Sequence, residues 1–140
     1  MPVSTTGFAH VRLTVTDLTR SRAFYDGVFG FPVAFEVPPG ADDATREQLG
    51  FLFGGLIYAV PDGLLGLRPV APAGDVFDED RVGLDHLCFA VADEAGMTEA
   101  TEVLDEMGVA HGGLKDIGVG WVLEFRDPDG TALELFAPKP

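Results

Sequence analysis

The chain has 140 residues, 46% of them hydrophobic and 23% charged, which is the composition of a folded domain rather than of a disordered segment. Its 23 acidic residues outnumber 9 basic ones, for a net charge of −14. Because such a charge repels phosphate backbones and anionic lipids, we expect no nucleic-acid partner and no membrane partner.

The same composition indicates the compartment. No apolar run approaches the roughly 20 residues of a membrane span, and the first residues lack a signal-peptide pattern. Cys88 is the only cysteine, so an intrachain disulfide is impossible, as suits a reducing environment. We therefore predict a soluble, cytoplasmic protein.

The first predicted strand is HVRLTVTD, residues 10–17, followed by a helix in LTRSRAFYDGVFGFPV that ends at Gly30. The apolar positions of this helix are Ala23, Phe24, Val28 and Phe29. The polar insertion EVPPGADDATREQ predicts a mobile loop or a short helix. Two strands follow around a Pro-Asp-Gly turn, in LIYAV-PDG-LLGLRPV.

The second half repeats this order. HLCFAVAD, residues 86–93, matches the first strand and again opens on His and closes on Asp. A helix ending at Gly108 follows, and then strands around a second Pro-Asp-Gly turn, in GWVLEFRD-PDG-TALELFA. The apolar face of this helix is expected to comprise Met97, Ala100, Val103, Leu104 and Met107.

The repeat predicts an α+β fold built from two βαβββ modules. We expect one domain over residues 1–140, with module one at about 6–72 and module two at about 83–138. The stretch between them, at about 73–82, is rich in Pro, Ala and acidic residues and is expected to be the connector.

Strand alternation places the polar residues of the repeated strands on one face, because neighbouring side chains point to opposite sides of a sheet. The apolar residues of each strand should pack under the module's helix, which leaves the intervening ones on the opposite surface. That surface is expected to carry His10, Arg12, His86, Cys88, Glu124 and Glu134.

Two imidazoles and a carboxylate form a ligand set for a divalent transition metal, with positions left for water or substrate. The alternative is that His10 and His86 are hydrogen-bonded, partly buried histidines and that Glu134 pairs with Arg12. Alternation by itself leaves both interpretations open.

The chain resembles the vicinal oxygen chelate superfamily over essentially its whole length. The resemblance lies in the doubled module and in two segments, HVRLTVTDLTRSRAFYDGVFGF and DPDGTALELF. That superfamily includes glyoxalase I, fosfomycin-resistance thiol transferases, extradiol dioxygenases, methylmalonyl-CoA epimerase and the bleomycin-resistance binding proteins. The resemblance implies paired modules around an open, U-shaped, barrel-like cleft. It also implies one divalent ion (Fe, Mn, Ni, Zn or Co) held by His10, His86 and Glu134.

The resemblance further implies a homodimer, in which the cleft is often built from modules of both subunits. One departure from the family pattern concerns a fourth ligand, Glu or Gln, that glyoxalase I and the epimerase carry late in module one. The matching stretch GLLGLRPV offers only Gly66 or Leu67. We therefore expect a three-ligand site.

Other residues on the predicted surface have two interpretations each. Arg12 is either an anion clamp on the substrate or a salt-bridge partner of Glu134 or Glu124. Arg68 is either a second anion-binding residue or a solvent-exposed side chain. Glu124 is either a buried general base or the partner of Arg126 or Arg12.

Three further residues are weaker candidates. Cys88 has three interpretations: a nucleophile, a soft metal ligand, or a small buried residue that only packs. The last is the most common for a cysteine on a strand. Trp121 belongs to a set of aromatic residues expected mainly in the core, with those at the cleft rim favouring a partly apolar substrate. His111 is expected in a surface loop and not as a ligand.

The leading hypothesis is a metal-dependent enzyme of the glyoxalase/dioxygenase type. Its small substrate would be chelated through oxygens in a lyase, isomerase, thiol-transferase or oxygenase reaction. The alternative is a non-catalytic protein of the bleomycin-resistance type that binds a drug or metabolite. No phosphate-binding glycine loop and no nucleophile motif is found.

Overall fold

A computed structural model describes residues 1–140, which divide into two compact units, Met1–Gly74 and Asp75–Pro140. Unit one contains β1 (His10–Thr14), α1 (Leu18–Val28), β2 (Val33–Glu36), α2 (Asp43–Gln48), a 3₁₀ turn (Gly50–Leu52), β3 (Leu56–Val60) and β4 (Gly63–Arg68). Its sheet has the order β1-β4-β3-β2, with β1 and β4 parallel and the other pairs antiparallel.

Unit two repeats this plan without the counterpart of α2. It contains β5 (Leu87–Ala90), α3 (Glu94–Glu106), β6 (Lys115–Asp116), β7 (Gly120–Arg126) and β8 (Ala132–Pro138). The sheet order is β5-β8-β7-β6, and β5 pairs with β8 in parallel. The α+β class and the two βαβββ modules are therefore confirmed, and the polar insertion of module one contains a short helix.

The aspartates that close the two repeated segments begin helices. Asp17 is the N-cap of α1, where its Oδ1 accepts a hydrogen bond of 3.0 Å from the backbone N–H of Arg20. Asp93 caps α3 in the same way, at 2.9 Å from the N–H of Gly96. Both caps satisfy backbone donors that a helix start leaves unpaired. The strands themselves end earlier than predicted, at Thr14 and Ala90.

Each helix buries an apolar stripe. In α3, Met97 and Leu104 are buried as predicted, whereas Met107 lies beyond the end of the helix and is exposed. In α1 the buried residues are Ser21, Phe24 and Tyr25. The prediction that Ala23 belongs to this face is wrong, because Ala23 is exposed. None of the helices is long and apolar enough to cross a membrane.

A buried polar turn fixes the β7–β8 hairpin and hence the position of Glu134. Asp127 Oδ1 accepts hydrogen bonds of 2.9 Å from the backbone N–H groups of Asp129 and Thr131, and all three residues are buried. The segment before β5 is attached to the same turn, since the N–H of Phe77 donates to the carbonyl of Asp129 at 2.9 Å. The carboxylate at Asp127 thus satisfies donors that the tight turn would otherwise bury unpaired.

Candidate functional site

His86 and Glu134 come together on one face of the unit-two sheet. His86 directly precedes β5, and Glu134 lies in the middle of β8, opposite Cys88 of β5 and Glu124 of β7. The Nε2 atom of His86 is 4.0 Å from Oε2 of Glu134. Their side chains are 44% and 20% exposed, so an ion or a small molecule can reach both.

Asp85 fixes the tautomer of the neutral His86 ring. The Nδ1 atom of His86 is 2.6 Å from Oδ1 of Asp85, and this hydrogen bond raises the pKa of His86. An ionised carboxylate can only accept, so Nδ1 carries a hydrogen, and in the neutral ring Nε2 has the lone pair on the side of Glu134. Because the pKa is raised, a metal ion has to compete with a proton for Nε2. A carboxylate that orients a ligand histidine in this way is typical of metal sites. Sequence reasoning missed Asp85, although its position next to His86 was a usable signal.

The two side chains fit a divalent ion. Imidazole nitrogen and carboxylate oxygen each bind such an ion at about 2.1 Å, which places two tetrahedral donors about 3.4 Å apart. Nε2 and Oε2, now 4.0 Å apart, would therefore have to approach each other by roughly 0.6 Å to share one ion. Neither unit by itself assembles a group of three His, Cys, Asp or Glu side chains suited to a metal. His10, the third ligand implied by the resemblance, lies at the start of β1 in unit one and is exposed.

His111 is not the surface-loop residue that the sequence predicted. Its side chain is only 15% exposed, and it lines the same cavity as His86 and Glu134. Its Nδ1 accepts a hydrogen bond of 3.1 Å from the backbone N–H of Gly113, and its Nε2 lies 2.9 Å from Oδ1 of Asp105. Both ring nitrogens are therefore occupied, which leaves no lone pair for a metal.

Glu124 pairs with a residue that the sequence analysis did not consider. Its Oε2 is 2.9 Å from Nζ of Lys115, and its side chain is 55% exposed. The expectation of a buried carboxylate is therefore wrong, and so is the alternative partner Arg126. Arg126 instead forms a two-pronged ion pair with Glu79, which lowers the pKa of Glu79 to about 2. Lys115 reaches Glu124 because β6 pairs with β7. No local sequence pattern predicted this pairing.

Two weaker candidates are poorly suited to chemistry. Cys88 is exposed rather than buried, yet partial burial of the thiol and the neighbouring Glu134 raise its pKa to about 12, which disfavours the nucleophilic thiolate. Trp121 lies on the opposite face of β7 from Glu124, where the Lys139 ammonium sits 5.5 Å from the centre of its ring. It is not among the residues that line the cavity around His86.

Arg12 is held by a loop of unit one. Its Nη2 donates a hydrogen bond of 2.7 Å to the carbonyl of Phe51, and its guanidinium lies 5.9 Å from the centre of the Phe53 ring. Arg68 approaches the same ring at 4.2 Å. Neither arginine forms an ion pair within unit one. The carboxylates considered as partners of Arg12 belong to unit two, so that salt bridge stays a prediction. The Phe51 carbonyl could not have been identified from the sequence, since it depends on the path of the loop.

Each unit has its own cavity. The unit-two cavity is about 570 Å³ in volume and is lined by four carboxylates, Glu79, Asp85, Glu124 and Glu134, together with His86 and His111. The unit-one cavity is about 260 Å³ and largely apolar, and its lining includes His10, Arg12, Phe35, Phe51, Ile57 and Gly66. Charge and apolar surface are thus divided between the two.

The position of the family's fourth ligand is filled by the backbone of β4. Gly66 pairs with Arg12 in the β1–β4 register, and a Cβ on Gly66 would lie 2.8 Å from Cγ of Arg12. Leu67 is fully buried. Neither position can supply a ligand, and the three-ligand site stays a prediction.

Residues 7–135 match the family model described as the glyoxalase/bleomycin resistance protein/dioxygenase superfamily. The chain belongs to this superfamily. Some of its members bind divalent metals and small-molecule substrates, and the superfamily includes dioxygenases, lyases and fosfomycin-resistance proteins.

Among curated proteins, the catechol-2,3-dioxygenase of Bacillus subtilis (strain 168) is 29% identical over 96% of this chain. The match covers 42% of that protein, so the chain spans less than half the length of this relative. Among solved structures, a glyoxylase/bleomycin resistance protein/dioxygenase domain from Frankia sp. EAN1pec is 29% identical, with a TM-score of 0.78 over 97% of this chain and 94% of that one.

A variant of the fosfomycin resistance protein FosX from Listeria monocytogenes shares the fold, with a TM-score of 0.70 over 97% of this chain and 93% of that one. It is 20% identical and was solved in complex with Mn(II) and 1S,2S-dihydroxypropylphosphonic acid. At this identity the likeness concerns the fold alone.

Proposed function

We propose that this protein is a metal-dependent enzyme that acts on a small substrate bound through oxygen atoms. The observation that carries the proposal is the His86–Glu134 pair, with Nε2 and Oε2 4.0 Å apart and the His86 ring oriented by Asp85. His10 is the third ligand in this proposal, because it opens the equivalent strand of module one. Fe, Mn, Ni, Zn and Co all suit two imidazoles and one carboxylate.

The proposed division of labour follows from the surroundings of each side chain. A divalent ion bound here would act as a Lewis acid on substrate oxygens. Asp85 keeps the His86 ring in the tautomer that binds metal. Glu124 would hold a substrate proton at its carboxylate, since it faces the same cavity and is bound only to Lys115. Which of the lyase, isomerase, thiol-transferase and oxygenase reactions takes place depends on the substrate.

A second function is favoured by one observation, the acidity of the unit-two cavity. Four carboxylates among its lining residues would suit a cationic drug or metabolite, so a non-catalytic binding protein of the bleomycin-resistance type is the alternative. The two proposals differ over the metal, because a drug binder of this kind has no use for the ion. The catalytic proposal ranks first, since His86 keeps a free lone pair beside a carboxylate.

The test is metal binding by the purified protein, measured by calorimetric titration of the chelator-treated protein with Mn²⁺, Ni²⁺, Zn²⁺ and, without air, Fe²⁺. We expect about one ion per chain and a loss of at least tenfold in affinity for each of His10→Ala, His86→Ala and Glu134→Ala. His111→Ala is the matched control and should keep the affinity, because both nitrogens of His111 are already hydrogen-bonded.

Two results would count against the catalytic proposal. A wild-type protein that binds none of these ions would favour the drug binder. Loss of metal on His111→Ala alone would show that the ligands are not the histidines of the repeated strands.

A further inference from the structure

The Arg12 side chain of unit one is held firmly in place. Its Nη2 donates to the Phe51 carbonyl at 2.7 Å, and the Phe53 ring covers its guanidinium. Its stem lies over Gly66, where a side chain of any size would collide with its Cγ. A guanidinium fixed in this way loses little conformational entropy when it binds a ligand.

No carboxylate of unit one balances the charge of Arg12, although unit one has seven acidic residues against five basic ones. Arg22 and Lys115, by comparison, are paired, since Arg22 contacts Asp26 and Glu36, and Lys115 contacts Glu124. Arg68, on the other side of the Phe53 ring, has no carboxylate partner either. In addition, the Nε atom of Arg12 is buried without a hydrogen-bond acceptor. A buried donor without an acceptor costs stability, and functional sites are among the places where such groups are found.

The loop that holds Arg12 is strained. Phe53 has a φ of 51° and lies in the left-handed region, which a bulky residue rarely adopts. It is the only residue other than glycine with a positive φ in the chain. This conformation brings the Phe51 carbonyl and the Phe53 ring to the same guanidinium. Strain of this kind persists where the surrounding structure enforces it, commonly at binding sites.

Arg12 lines the unit-one cavity of about 260 Å³, whose other walls include Phe35, Phe51 and Ile57. One positive charge in an apolar pocket of this size suits a small molecule with one anionic end and a flat or apolar body. We infer that this cavity binds the oxyanion of a small organic acid, a carboxylate or a phosphonate, with Arg12 as the anion-binding residue. The inference rests on the proposed function, because it names the substrate class of the same enzyme.

The experiment compares probes that share a phenyl ring, two of which, phenylacetate and phenylacetamide, have the same shape and differ in charge. Phenylacetate, phenylphosphonate and the neutral phenylacetamide are titrated by NMR into the protein as purified and after chelator treatment. We expect at least one of the two anions to bind about tenfold tighter than the amide, with or without chelator. Arg12→Gln should remove this preference and leave the amide affinity unchanged. A preferred carboxylate or a preferred phosphonate would identify the type of acid.

Arg46→Gln is the matched control. Arg46 is also in unit one and without an ion pair, but it is exposed on α2 and bonds only to the carbonyl of Ala41, so its loss should leave the preference intact. Arg12→Lys keeps the positive charge but loses the planar, two-pronged hydrogen bonding of the guanidinium, so it should retain part of the preference for the anion. Circular dichroism spectra confirm that each variant is folded.

Three results would overturn the inference: equal binding of acids and amide, a preference that survives in Arg12→Gln, or no saturable anion binding up to millimolar concentration. A preference that disappears when metal is removed would also contradict it, because the anion would then be a metal ligand. Since metal affinity is measured separately, loss of anion binding with metal binding intact would reject only this inference and not the proposed function.

Discussion

Individual side chains in the unit-two cavity differ in what they leave free for chemistry. His111 uses both ring nitrogens in hydrogen bonds, whereas His86 uses only Nδ1. Cys88 faces Glu134 across the β5–β8 pair and is held as a thiol. Glu124 is paired only with Lys115, at the surface, and such an exposed ion pair is weak and easily exchanged. Among these residues, Glu124 is therefore the one that we propose as the acceptor of a substrate proton.

Replacement of Glu124 by Gln should lower turnover more than metal affinity. The substitution keeps the shape and removes the basicity, and loss of a general base costs about a hundredfold in rate or more. The measurement is kcat with a substrate found by screening, beside a calorimetric metal titration. Asp116→Asn, on the neighbouring strand and paired with Lys139, is the control and should leave the rate unchanged. An unchanged rate in Glu124→Gln would restrict Glu124 to its ion pair with Lys115.

At the scale of elements, the β1–β4 pair sets the position of Arg12. Gly66→Ala should shift Arg12, because the new Cβ would lie 2.8 Å from Cγ of Arg12. This distance is shorter than a contact between two carbon atoms allows. We expect a loss of about 1–3 kcal/mol in the free energy of unfolding, measured in urea, and weaker anion binding. Gly50→Ala is the control, since its Cβ would meet nothing within 4 Å. Unchanged stability and anion binding in Gly66→Ala would show that Arg12 is not positioned by this contact.

The segment before β5 is attached to β7 by the Glu79–Arg126 ion pair, which makes its contribution dependent on pH. The pKa of Glu79 is lowered to about 2 from 4.5 by the Arg126 hydrogen bonds. A lowered folded-state pKa gives stability that is present above 4.5 and lost as the pH falls towards 2. Glu79→Gln should therefore lower the urea midpoint at neutral pH and make little difference in strong acid. A deficit that is the same at both pH values would contradict this role.

At the scale of the whole molecule, charge is distributed unevenly between the units. Unit one has five basic residues against seven acidic ones, whereas unit two has four against sixteen. The strong acidity of the chain therefore belongs almost entirely to the unit with the proposed metal ligands His86 and Glu134. An acidic environment attracts a cation and repels an anion. Unit one, whose acidic and basic residues are nearly equal in number, is therefore the better place for an anionic substrate.

Assembly is the prediction that belongs to this scale. In their own sheets β1 and β5 are edge strands, and the chain exposes large apolar side chains such as Phe8, Phe35, Phe51 and Val119. Open edges and exposed apolar side chains are commonly covered by a second copy. We expect a homodimer in solution, measured by sedimentation at micromolar concentration.

The same preparation tests whether the metal ligands come from one chain or from two. If two subunits share a site, mixing His10→Ala with His86→Ala chains should restore one intact site per heterodimer, measured as bound metal. A monomer that binds metal at full stoichiometry would exclude the shared site and contradict the expected dimer.

The sequence by itself determined the modules, their order and the faces of their strands. Alternation in HVRLTVTD and TALELFA predicts which residues are buried, and Leu13, Val15, Leu133 and Leu135 are indeed in the core. These features follow from local periods of two and 3.6 residues, which the chain carries whatever its tertiary structure. The superfamily, and the candidate ligands His10, His86 and Glu134, also follow from local motifs.

Tertiary structure decided the partners of the polar side chains. Lys115 reaches Glu124 through the β6–β7 pairing, and the Phe51 carbonyl reaches Arg12 across 39 positions of sequence. His111 is covered because it bridges to Phe125 and contacts Asp105. Such contacts depend on strand register and loop path, which bring distant residues together. A periodic pattern carries no information about them, because it records only which side of an element a residue occupies.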